Sequence, residues 1–65
     1  MKNIKSYYYF TGETVDGEFV DADPNRPMTE REAKKYAHRI LEDLDGGHLD
    51  AFYSETDEFA FDMEV

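Results

Sequence analysis

The chain has no cysteine, so neither a disulfide nor a thiolate metal site can supplement its core, and composition leaves the redox compartment open. It also has no Lys or Arg beyond Arg39, and residues 40–65 carry nine acidic side chains. Residues 1–39 hold seven basic and seven acidic groups, so the C-terminal segment accounts for the whole formal charge of −9. No apolar run approaches the roughly 20 residues of a membrane span, and the N-terminus lacks a basic region leading into an apolar signal core. The expectation is a soluble cytoplasmic protein that makes no membrane contact. Glycine-rich phosphate loops and Ser/His/Asp constellations are missing too, and His38 and His48 are the only imidazoles. A closed zinc site would have to recruit carboxylates, so no metal and no cofactor are expected.

At 65 residues the chain is one small domain that buries only about 60% of its unfolded surface, which disfavours a deep catalytic cleft. General acid–base work needs a pocket that shifts one carboxyl pKa, and nothing in the sequence marks one. No enzyme activity is expected. Ten aromatics, five Tyr and five Phe, are nevertheless too many for a disordered acidic tail. The chain should fold.

Residues 4–11 are rich in aromatics that suit a strand, with Gly12 as a bulge or turn position. Asp16-Gly17 predicts a two-residue type I′ hairpin returning through residues 18–22. The run Asp23-Pro24-Asn25-Arg26-Pro27 reads as a loop, because each proline removes an amide donor and favours extended geometry before it. Thr29 with Glu32 fits a capping box. From there Ala33, Tyr36, Ala37, Ile40, Leu41 and Leu44 form one continuous helical face, predicting a helix from about 29 to 45 that stops at Gly46-Gly47. Residues 49–54 and 58–65 read as strands around a polar turn at Glu55-Thr56-Asp57. In the last strand Phe59, Phe61, Met63 and Val65 alternate with Glu58, Ala60, Asp62 and Glu64. The expected fold is α+β, in the order ββαββ, an antiparallel sheet with the single helix packed on one face. The other face stays open, and alternation along Tyr7-Tyr8-Tyr9-Phe10 does not decide which pair lies on it.

The acidic surface carries the functional signal. Outward residues of a strand recur about every 6.5–7 Å, so Glu58, Asp62 and Glu64 form a row of carboxylates. Duplex DNA also presents rows of negative charge, at about 3.4 Å of rise per nucleotide on each strand. Charge kept only for solubility would intersperse both signs. Here cations cluster on the first part of the helix and anions on the C-terminal half. The tyrosine run could suggest a stacking platform for single-stranded nucleic acid, but such platforms lie in positive grooves, and this chain repels phosphates. No direct nucleic-acid binding is expected.

A second reading treats the protein as a small acidic interaction module whose charge mainly serves solubility. The segment from Asp21 to Glu32 could then bind calcium, since acids or amides stand at its positions 1, 3 and 5 and Glu at 12. Arg26 and Pro27 stand where such loops need a glycine turn. A third reading pairs the open tyrosine face with a second chain.

A very small, cysteine-free, strongly acidic α+β domain with carboxylate rows resembles the phage-encoded anti-CRISPR proteins that act as DNA mimics. The resemblance is one of type and covers the whole chain in size, charge and expected architecture, without a shared motif. It implies a monomeric inhibitor, acting in the host bacterial cytoplasm, that occupies the Lys/Arg groove of a Cas protein or Cascade complex and blocks target and PAM recognition. Asp43, Asp45, Asp50, Glu55, Asp57, Glu58, Asp62 and Glu64 are the candidate partner contacts.

Overall fold

A computed structural model describes residues 4–65 of the chain. Its elements are β1 (Ser6–Thr14), β2 (Phe19–Ala22), β3 (Pro27–Met28), α1 (Glu30–Asp43), β4 (Gly47–Tyr53) and β5 (Phe59–Glu64). The fold is α+β, one helix on a five-stranded sheet ordered β2-β1-β4-β5, with β3 also paired to β1. Every pairing is antiparallel.

The element order departs from ββαββ because three strands, not two, precede the helix. β2 pairs only with Phe10–Glu13 of β1, which leaves the start of that strand free to pair Ser6 with Met28 and Tyr7 with Pro27. A proline is tolerated at such an edge, where its missing amide leaves no further strand unpaired. β1 also runs through Gly12 to Thr14 rather than ending there. A Cβ at Gly12 would fall on the backbone carbonyl of His48, so glycine here permits close approach of β4 rather than a turn.

The first hairpin closes differently from the type I′ expectation. Gly17 N donates to Thr14 O at 3.0 Å and Thr14 N to Glu18 O at 2.9 Å. Positive φ is found at Gly17 (87°) and not at Asp16. A three-residue loop built on a type I turn asks for a left-handed residue only at its end.

The helix begins as its capping box requires. The Glu32 amide donates to the Thr29 hydroxyl at 3.1 Å, and the Thr29 amide to the Glu32 carboxylate at 2.9 Å. That carboxyl is held below its ordinary range, first by the Thr29 amide and further by Lys5 and Arg26 nearby. At the other end Gly46 N donates to Leu41 O at 2.7 Å and Asp45 N to Glu42 O at 3.1 Å, the pairing of a Schellman stop. Its left-handed residue is Asp45, φ 64°, one position ahead of the predicted glycines. Gly47 serves close packing instead, since a Cβ there would strike the Glu13 carbonyl.

Ala33, Ala37 and Leu41 pack against Tyr8 and Phe10 of β1, Leu49 and Ala51 of β4, and Phe61 of β5, with Met28 also fully buried. Two alanines on the buried stripe let the helix lie close to large rings, and Tyr36 meets Phe10 at 5.3 Å between centroids. This docking settles the tyrosine alternation. Tyr8 and Phe10 point to the helix, so Tyr7 and Tyr9 take the open face.

β5 does not keep the strict alternation expected for it. A bulge at Ala51/Phe52 pairs Phe61 with Ala51 but Phe59 with Phe52. The extra residue turns Phe59 onto the same side as Phe52, where their rings meet edge to face at 5.9 Å and Phe59 remains 57% exposed. Glu58 accordingly leaves the outward row of β5 and falls in the preceding turn, where its carbonyl accepts from Tyr53 N.

Candidate functional site

None of the five strands contains a Lys or Arg. Their acidic residues are Glu13, Asp21, Asp50, Asp62 and Glu64, and the pairing places all five on the face away from the helix. Thr11 stands opposite both Asp21 and Asp50, and Asp50 opposite Asp62, which makes one row across four strands. In the next row Glu13 stands opposite Phe19 and His48, and His48 opposite Glu64. Cross-strand neighbours lie about 4.5–5.5 Å apart and successive rows about 6.5–7 Å, so the carboxylates form a two-dimensional lattice. Among the described residues no charged side chain is buried, so these groups stay solvated.

His48 is the only group in the strands that can carry positive charge. Its Nε2 lies 3.2 Å from Asp50 Oδ1 and 3.7 Å from Asp62 Oδ2. One donor atom from each of the three residues falls within 4.8 Å of the others, the one His/Asp/Glu group among the described residues compact enough to share an ion. When protonated, His48 sits between two carboxylates that otherwise repel each other.

Beyond the acidic rows the open face becomes aromatic. Tyr9 and Phe52 are cross-strand partners whose rings stack at 5.2 Å, and Phe59 continues the strip from β5. The Tyr9 hydroxyl donates to Asp57 Oδ1 at 3.1 Å, which ties the β4–β5 turn to the face. Partial burial, then this hydrogen bond and the carboxylate charge, hold the Tyr9 phenol above its ordinary range.

The opposite side of the molecule holds cations, but they are balanced by the helix's own acids Glu30, Glu32, Glu42 and Asp43. Arg31, Lys34, Lys35 and Arg39 all belong to the helix, and Arg26, Lys35 and Arg39 line one shallow cleft with Glu32 and Tyr36. Lys34 pairs with Glu30 at 3.0 Å and also lies 5.6 Å over the Phe61 ring. Through the thickness of the molecule, the contrast is between uncompensated acid on the strands and a formally neutral helix.

Of the eight candidate contacts, Asp50, Asp62 and Glu64 are brought together on the acidic rows. Glu55, Asp57 and Glu58 cluster in the turn beside the aromatic strip, with Asp57 reaching Tyr9. Asp43 and Asp45 lie at the helix C-terminus, outside the strand rows. Sequence reasoning missed Glu13 and Asp21, which precede the acidic segment, and the aromatic strip. Strand parity carried the signal for Glu13, since it shares the side of Tyr7 and Tyr9.

The segment from Asp21 to Glu32 is organised around other partners. Asp21 stands on the open face of β2, Asp23 Oδ1 accepts from the Asn25 amide at 3.1 Å, and the Glu32 carboxylate caps the helix. Pro27 and Met28 pair with β1. No helix among the described residues is long and apolar enough to cross a membrane. No family model, curated protein or solved structure matches the chain.

Proposed function

We propose that this protein is a non-enzymatic binding protein whose acidic sheet face occupies a cationic, DNA-contacting surface of another protein and keeps DNA from it. One observation carries the reading: five carboxylates and no Lys or Arg on the strands, against a helix whose four cations are balanced by four acids. Charge that served only solubility would gain nothing from this segregation, because crowding like charges costs stability. Such a surface competes with phosphates for Lys and Arg without chemistry.

The resemblance in type to anti-CRISPR DNA mimics makes a CRISPR surveillance complex or nuclease the first partner to test. Titrating such a complex with the protein should abolish target-DNA binding, and raising salt should weaken the inhibition. Reversing Asp62→Lys and Glu64→Lys together should restore DNA binding while circular dichroism stays unchanged. Inhibition at full strength by that folded double variant would sink the proposal.

A further inference from the structure

We infer that the aromatic strip Tyr9–Phe52–Phe59 recognises arginine on the partner surface, so that the face selects guanidinium over ammonium groups. This rests on the acidic face being the docking surface and adds to it a chemical preference.

The two sides of the sheet treat their rings differently. On the helix side Phe61 is covered by its own cation, Lys34, at 5.6 Å. On the open side the three rings form a continuous strip, with centroids 5.2 and 5.9 Å apart, and no cation–π partner among the described residues. Phe59 reaches that strip only through the bulge, which carries a ring with the core's alternation out to solvent.

The surroundings of the strip specify what covers it. Asp57 is hydrogen-bonded to Tyr9 at one end, and Asp50 stands two residues from Phe52 on the same face of β4. A planar, weakly hydrated guanidinium can lie on a ring and still direct its N–H groups to flanking carboxylates, whereas ammonium is a compact, strongly hydrated point charge. Nucleic-acid bases would stack equally well, but their phosphates would meet the carboxylate rows. A second copy of this face would set carboxylate against carboxylate. Charge complementarity therefore selects an arginine-bearing protein surface.

Octa-arginine and octa-lysine peptides, equal in charge, provide the probes, with binding followed by calorimetry at fixed ionic strength. Wild type should bind octa-arginine about three- to fivefold more tightly, the gain expected of one exposed cation–π contact. Phe59→Leu, which keeps an apolar side chain and removes the ring, should bring that ratio to about one and leave the octa-lysine affinity unchanged. Phe59→Trp should keep or raise the preference. A wild-type ratio of one, or a preference that survives Phe59→Leu, overturns the inference but spares the acidic-face reading, provided both peptides bind and salt weakens them. Failure of both peptides to bind overturns the two together.

Discussion

Asp50 and Asp62 stand directly opposite one another on β4 and β5, with His48 Nε2 3.2 Å from the first carboxylate and 3.7 Å from the second. Like charges in directly opposed positions destabilise an antiparallel pair. The arrangement lowers stability at the place where the proposed function requires charge density.

Neutralising one member should separate the two demands. Asp62→Asn should raise stability by about 0.2–1 kcal/mol, read as a higher urea midpoint at unchanged slope, while weakening the proposed partner interaction. A lower midpoint would show that Asp62 is held by attraction to His48 rather than strained by Asp50.

Asp45 allows the converse test, because it sits in the left-handed region at the helix end and outside the strand rows. The last helical turn contains no basic residue, so a carboxylate beside it opposes the helix dipole. Asp45→Gly removes both the conformational and the electrostatic cost and should stabilise by about 0.5–1 kcal/mol. Partner binding should be unaffected. A matching loss of affinity would extend the contact surface around the helix end.

Alkaline titration should expose the buried phenol of Tyr8, which is 3% exposed. Burial, then the neighbouring Tyr53 and Glu30, push its pKa up to about 12 from 10.0. A folded-state pKa above the unfolded one gives a contribution that is complete below the unfolded value and is lost as pH rises through the folded one. A rise of that size corresponds to about 2–3 kcal/mol. Stability should therefore fall between about pH 10 and 12, and Tyr8→Phe should remove this component of the fall. Parallel pH–stability curves for wild type and Tyr8→Phe would refute the assignment.

The features legible in the sequence are those decided within a few residues. The Thr29–Glu32 capping box and the apolar stripe from Ala33 to Leu41 depend on local spacing, and the structure contains both. Features that depend on how one strand meets another were not legible. The bulge that exposes Phe59 arises from the β4–β5 register, and the choice of Tyr7 and Tyr9 for the open face follows from helix docking. β3 forms because β2 ends early, and no pattern in Pro27-Met28 announces it.

The candidate site divides along the same line. Asp62 and Glu64 were visible from alternation in β5, whereas Glu13 and Asp21 join them only because β1 lies beside β4 and β2 beside β1. An acidic stretch at one end of the chain suggested a face drawn from that end. Pairing builds the face from both.

Setting uncompensated anions on the sheet and a balanced mixture of charges on the helix gives the molecule a direction as well as a charge. In the field of a basic partner it experiences a torque before it makes contact, turning its sheet forward and its helix away. A larger fraction of encounters then arrives in productive orientation, which raises the association rate. Added salt should slow arrival at least as strongly as it hastens departure.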